Sequence, residues 1–393
     1  MARFGTSTDR NGPPISRGGW LDALRFVVAF MMILHHYQLA APIPLSHFHP
    51  VFERGYLLTN FFLIDSGYVL ARVYGDKVGT GGMSPLAFFA KRILRVVPAH
   101  LIMSLGLVAL VGGSAAFGLA PRHPEWFDWS QWPAQFFLVQ AYGVPGGMGW
   151  NAPSWSLSAL LGCYLTFPWL LRALGRASPW SALAIGALAF LLCNLATWAV
   201  LGYPVYQMPM KYGFLRALPL FVGGVALARF AHKVYLPPRL AAGLGIAAVA
   251  ALIGVQALGR YSIVSLALIG VIIIAAGAIP VRRKSALVER AALISFSMFI
   301  TNEVVRIGWF GVVNVVQARF PLSPPLQWAL WIFGVMLALV FAVAFHYLID
   351  MPSQKWLAAW MRRRAANSAM SVAPIAGRFL AKGRRTSPAA DPA

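Results

Sequence analysis

Acidic side chains are scarce in this sequence. Asp and Glu number 11 in 393 residues, against 33 Lys and Arg, and charged residues of both signs make up only 11% of the chain. A soluble domain carries about a quarter, so this charge content excludes a large water-facing surface. No polar stretch is long enough for a separate soluble domain of useful size. Cysteine is nearly absent. Cys163 and Cys193 both fall inside apolar runs, which points to packing rather than a disulfide framework. There is no phosphate-cradling glycine loop and no dinucleotide fingerprint. The first 19 residues are polar, and no signal peptide is expected in them. Internal repeats are also missing.

What is abundant is apolar. Hydrophobic residues make up 59% of the chain and mean hydropathy is +0.67. Mostly apolar segments of about 20 residues recur along it, as membrane spans require. We read an all-α polytopic membrane protein with ten spans, near residues 20–42, 55–75, 95–118, 152–173, 180–202, 213–232, 237–258, 261–280, 290–311 and 326–349. Residues 1–19 are expected to be a disordered cytoplasmic N-terminus and residues 20–357 the transmembrane domain. Residues 358–393 are expected to be a basic, disordered cytoplasmic tail able to touch anionic lipid.

The net charge of +22 would suggest a nucleic-acid partner in a soluble protein. In a membrane protein it points to the positive-inside rule, and no nucleic acid is expected. With ten spans and both termini cytoplasmic, 25 Lys and Arg residues fall inside. Six fall on outer loops and span ends: Arg54, Arg122, Lys211, Arg216, Arg260 and Arg319. Arg25 and Arg306 lie within spans. The longest outer segment, 119–151, holds Trp126, Trp129, Trp132 and Trp150. It reads either as an interfacial aromatic belt or as a lip on which sugar rings stack. Within it, PAQFFLVQAYG reads as a short interfacial or re-entrant helix.

Ionisable groups inside spans are costly and mark candidate function. In the first span, Asp22, Arg25, Ala29, Met32 and His36 share one helical stripe. His35 points about 100° away from it and reads as surface trim. The second span carries Asn60 at about the depth of His36, and Asp65 near the midplane. The ninth carries Asn302, Glu303 and Arg306, with Glu303 and Arg306 spaced to pair. The plainer reading of Asp65 and Glu303 is an interhelical polar contact that holds the bundle together.

Several stretches then match one pattern in order. WLDALRFVVAFMMILHH, FFLIDSGYVL, KRILRVVPAH, NAPSWSLSALLGCYLTFPWLL, FLRALPLFVGG, ISFSMFIT and IDMPSQKWL together resemble the membrane acyltransferase-3 family. Those are ten-span bacterial inner-membrane enzymes that move acyl groups, often acetyl, onto glycans and related envelope acceptors. Asp22, Arg25 and His36 stand at the family's opening positions. Lys91, Arg92, Arg95 and Pro98 match its basic motif, and Trp155, Ser156 and Ser158 its Trp-Ser-Leu-Ser signature. Asp350 and Pro352 match its closing motif. The chain departs from the pattern at Leu160, where the family usually has glutamate, and at Asn302, where a histidine is common.

The resemblance implies an integral-membrane acyltransferase that uses acyl-CoA as donor and a hydroxyl of an envelope glycan or glycolipid as acceptor. Transfer from a thioester to a hydroxyl needs a base and donors for the developing oxyanion. His36 is the expected base. Asp65 or Glu303 is expected to replace the carboxylate lost at Leu160. Asn60, Trp155, Ser156 and Ser158 are expected to position substrate. Arg25, Lys91, Arg92 and Arg95 are expected to hold the donor phosphates, with His346, Asp350 and His100 near the same mouth. His123 and Asp128, in HPEWFD, echo the His-x4-Asp of glycerolipid acyltransferases without their context, and read as chance. His47 and His49 lack a third ligand, and no metal is expected. The competing readings are a transporter or flippase using the same polar path, and a family member that kept the fold but lost catalysis.

Overall fold

The computed structural model describes residues 18–119, 123–144, 149–259, 262–281 and 283–363. The expected termini at 1–17 and 364–393 lie outside them, as do Arg122, Arg260 and Arg282 of the charge count. Among the described residues there is helix and no strand. The long helices are α1 (Trp20–Tyr37), α2 (Gly55–Gly79), α3 (Pro85–Ala116), α5 (Trp155–Gly175), α6 (Pro179–Leu201), α7 (Gly213–Lys233), α8 (Pro238–Ala257), α9 (Ser262–Ala278), α10 (Ala286–Arg319) and α11 (Pro324–Phe345). A short α4 (Trp132–Phe136) lies in the long segment between α3 and α5. Eight helical stretches are long and apolar enough to cross a membrane. Of the remaining two, α9 has 17 residues and α2 carries Asn60, Asp65 and Arg72 within its length.

Helix starts follow local chemistry. Serine followed by proline opens α3 and α6, with Ser84 and Ser178 accepting from the N–H groups of Ala87 and Ser181. The serine oxygen satisfies a donor that the helix leaves free, and proline gives up none that it needs. Ser285 caps α10 in the same way. Because Ser84 starts α3 at residue 85, Lys91, Arg92 and Arg95 stand on its early turns and not in a loop. After α11, a π-helical turn at His346–Asp350 leads into a helix that runs on to Arg363. The segment expected to be a tail is therefore helical over its first six residues.

The bundle is centred on α2 and α7. They touch backbone to backbone, because a Cβ on Gly67 would run into the carbonyl of Phe221 and one on Gly224 into that of Ile64. Small residues at a crossing let two helices approach in lipid, where dispersion replaces the hydrophobic drive. Helices α5 and α6 lie against α7, while α8 pairs with α9. The second half of the bundle is α1, α10 and α11, packed through Ala29, Ile33, Tyr37, Met298 and Trp331. Of the most apolar stretch of α7, 67% is buried inside the protein; for α6 the share is 11%. Helix α6 therefore turns its side chains to lipid, and α7 turns them to the core. Cys163 and Cys193 are both free.

Candidate active site

His36 lies on the last turn of α1, and two contacts fix that turn. The Tyr37 hydroxyl donates to the Asn302 carbonyl at 2.8 Å, and the Trp331 indole donates to the Tyr37 carbonyl at 2.9 Å. The imidazole faces Asn302, with Nδ1 2.7 Å from Oδ1. The amide Nδ2 is already committed to the carbonyls of Phe299 at 2.7 Å and Met298 at 3.2 Å. The amide thus turns its oxygen to His36, so Nδ1 must carry the proton. Nε2 is left with its lone pair, the form a base requires. The hydrogen-bond network assigns this tautomer.

The ring borders a cavity with two lobes, of about 430 Å³ and about 270 Å³. Met32, His35, His36, Thr59, Trp155 and Met210 line both, which puts His36 at their junction. The larger lobe adds Tyr56, Lys211 and Arg216, and no carboxylate lines it. The smaller lobe is aromatic, with Trp126, Phe127 and Trp150, and it contains Glu303 and Arg306. Arg306 grips Glu303 with two hydrogen bonds of 2.6 and 2.9 Å, so this carboxylate is neutralised where it stands. His35 is not surface trim. It lines both lobes, its Nδ1 sits 2.5 Å from the Phe52 carbonyl, and its ring fills the space beside Gly55.

Arg216, near the start of α7, is 5% exposed. Its Nε and Nη2 both donate to Asn60 Oδ1, at 3.0 and 2.9 Å, and Nη2 also donates to the Tyr56 carbonyl at 2.9 Å. Its plane lies 4.8 Å from the Trp155 ring. Asn60, fully buried, thus holds an arginine and is not a cavity wall. Ser156 and Ser158 are also not among the lining residues. Ser156 donates to the Pro153 carbonyl at 3.2 Å and Ser158 to the Leu138 carbonyl at 2.6 Å. Of the four residues expected to position substrate, only Trp155 reaches the cavity. Leu160 packs in the apolar core that α2, α5 and α7 share.

A second polar level begins about 16 Å down α1, from His36 to Arg25, and about 8 Å down α2, from Asn60 to Asp65, by helix rise. Arg25 donates to Asp65 at 2.7 Å and approaches Asp22 at 3.6 Å. Asp65 is therefore a partner for Arg25, remote from His36. Arg95 pairs with Asp350 at 2.8 Å and lies over Phe296, and His346 sits 3.4 Å from the same carboxylate. Arg92 donates to the Tyr74 hydroxyl at 2.9 Å while covering its ring. Lys91 is exposed. His100 does not join this level; its ring bonds the Gln135 carbonyl at 2.9 Å and ties α3 to α4.

A lip over the cavity is built from residues 123–144 and 149–151. Asp128 accepts from the backbone N–H and the hydroxyl of Ser130, both at 2.8 Å. Those bonds hold its carboxyl below the usual range. His123 pairs with Glu125. HPEWFD is thus loop architecture. Trp150 adopts a positive φ of 46°, donates to the Asp128 carbonyl at 3.0 Å and meets Trp129 and Phe127 edge-on. Sequence reasoning singled out the tryptophans but missed Arg216. Its signal was an arginine four residues into an apolar run, which the charge count absorbed as a span end. Among the described residues no group of three or more His, Cys, Asp or Glu side chains is placed to hold a metal.

Comparison with known proteins bears on this arrangement. A family model described as an acyltransferase domain matches residues 19–347. The acyltransferase MdmB of Streptomyces mycarofaciens is 33% identical over 117 residues, which is 29% of this chain and 28% of that protein. The chain thus matches less than a third of that relative's length. No solved structure matches it.

Proposed function

The chain belongs to the acyltransferase family whose model spans residues 19–347, and from that premise we propose that it moves an acyl group, acetyl foremost, from acyl-CoA to a hydroxyl of an envelope glycan or glycolipid. In this reading all ten long helices cross the inner membrane of a bacterium, with both termini on the cytoplasmic side. The donor enters at the Lys91 and Arg92 level and extends its acyl arm upward along α1. The acceptor enters past Trp126 and Trp150 from the opposite face.

The observation that carries the reading is the His36–Asn302 pair. Nε2 of His36 takes the proton of the acceptor hydroxyl as the oxygen attacks the thioester carbonyl. The C–O bond forms, the tetrahedral intermediate collapses, and the C–S bond breaks. The imidazolium returns its proton to the leaving thiolate, which departs as free CoA thiol. Asn302 keeps the ring in the productive tautomer throughout. Arg25 and Arg95 are tied to carboxylates and serve as the frame of the donor mouth. Lys91 and Arg92 carry no carboxylate partner among the described residues, and they supply the charge that phosphates need.

The test is mass spectrometry of envelope glycans and lipids from a deletion strain complemented with wild type or His36→Ala. The expected result is loss of one acyl mass on deletion, restored by wild type and not by the variant. For the purified protein the expected drop in rate is about 10²–10⁴-fold, the usual value of a positioned base. Restoration by His36→Ala would remove His36 as the base and leave translocation without bond formation as the better reading.

A further inference from the structure

The charge balance of the larger lobe stands out once each ionisable group near it is paired. Three arginines of the polar interior, Arg25, Arg95 and Arg306, each touch a carboxylate. Arg216 does not. It is the most buried arginine described, yet its partners are an amide oxygen, a backbone carbonyl and an indole face. Neutral acceptors orient a guanidinium without cancelling its charge. They also use Nε and Nη2 and leave Nη1 with no hydrogen-bond partner among the described residues. The side chain lines the lobe. Lys211 lines it as well, and its ammonium rests 4.9 Å from the Tyr212 ring, again with no acid.

Burying an unpaired cation is expensive, and a bundle with α2 and α7 in backbone contact has no slack to relieve it. Such a group persists where a ligand completes it. The arrangement is also rigid: Asn60 is fully buried, Trp155 is 6% exposed, and a Cβ on Gly213 would strike the Trp155 ring. A fixed guanidinium with one free edge suits an anion held in one position.

We propose that the larger lobe binds an anionic group on the acceptor, a carboxylate or a phosphate, with Arg216 as its principal contact and Lys211 as a second. The inference rests on the acyltransferase reading and adds the substrate class: an acidic glycan or a phosphorylated glycan or lipid headgroup, with the hydroxyl to be acylated at the lobe junction beside His36. The ring of such an acceptor faces the aromatic side formed by Trp126, Trp150 and Trp155. The proposed donor charges are Lys91 and Arg92, and Tyr74, which holds Arg92, lies about 21 Å along α2 from Asn60, so the lobe is assigned to the acceptor.

The experiment measures equilibrium binding of glucose, glucuronate, glucose 6-phosphate and adenosine 3′,5′-bisphosphate to the full-length protein in lipid nanodiscs. Wild type is compared with Arg216→Gln and Arg216→Lys. The expected result is at least about tenfold tighter binding of glucuronate or glucose 6-phosphate than of glucose, the scale of one charge-assisted hydrogen bond. Which of the two gains most names the anion as carboxylate or phosphate. Arg216→Gln is expected to bind all three sugars at the glucose level, and Arg216→Lys to keep part of the preference. Unchanged glucose binding in Arg216→Gln separates this from simple loss of fold. The proposal is overturned if wild type shows no preference, including no binding at all, or if the preference survives in Arg216→Gln. Loss of the bisphosphate alone would overturn it too, because the lobe would then belong to the donor. A parallel assay of CoA release from acetyl-CoA in the presence of each sugar separates the two claims. Charge-selective binding without CoA release leaves the anion lobe standing and removes the transfer reaction.

Discussion

Arginine is used in opposite ways at the two polar levels of this bundle. At the lower level Arg25 and Arg95 are closed by Asp65 and Asp350 at 2.7 and 2.8 Å. At the upper level Arg216 is held just as firmly, but by Asn60 and a backbone carbonyl. The first arrangement is neutral, joins α1 to α2 and α3 to the turn after α11, and resists disruption. The second leaves a positive charge facing a cavity. Residue type is the same in both; the chemical character of the partner decides between a bolt and a binding group.

The most severe way to break the contrast is at the base. His36→Ala should lower transfer by about 10²–10⁴-fold while thermal unfolding in detergent stays within a few degrees, because Tyr37 and Trp331 still fix α1. Equal losses of rate and stability would show that the upper level is structural like the lower. Asp65→Ala should do the reverse. It leaves Arg25 only the longer 3.6 Å contact to Asp22, and removing one partner of a buried pair costs about 3–5 kcal/mol. The lower end applies because Arg25 is 28% exposed and keeps Asp22. A large fall in unfolding temperature is expected, with recovery in the Asp65→Ala, Arg25→Met double variant; no recovery would dismiss the pair as the cause. Asn302→Ala sharpens the assignment at His36. It removes the acceptor for Nδ1 and frees the tautomer, so a loss of about tenfold in rate is expected with unchanged donor affinity, within the range of a lost orienting contact.

The smallest effect concerns the lip. The Asp128 carboxyl is held low by the Ser130 N–H and hydroxyl, so its contribution is present above the unfolded value, near 4, and is lost as pH falls through the folded value. Acidification should therefore loosen the lip at the low end of that window, and the tryptophan emission of wild type should change there. Asp128→Asn should show no such step, since its amide cannot titrate; a step of the same size in both would assign it to another group.

Each level was legible in the sequence only in part. Asp22 and Arg25 share a face by helical spacing, and His36 continues the same stripe. Glu303 and Arg306 lie three apart and do pair. Those relations are local, and helix geometry alone fixes them. The mistaken expectations all concern partners far away in the chain. Asn60 reads as a polar group near the depth of His36, but its partner Arg216 is 156 residues distant. His35 reads as trim from its angle on α1. That angle says nothing of Gly55, whose missing side chain leaves room for the imidazole. Ser156 and Ser158 sit in a signature motif, yet backbone carbonyls take their hydroxyls.

By itself the sequence determined an all-helical membrane protein, the stripe on α1 and the family. Each follows from composition, from the order of short motifs or from the helical period, none of which needs the packing of one helix on another. The tertiary structure alone decided which cations are cancelled and which are left to act. That depends on whether a carboxylate or an amide arrives from another helix, and no local rule specifies which helix packs where.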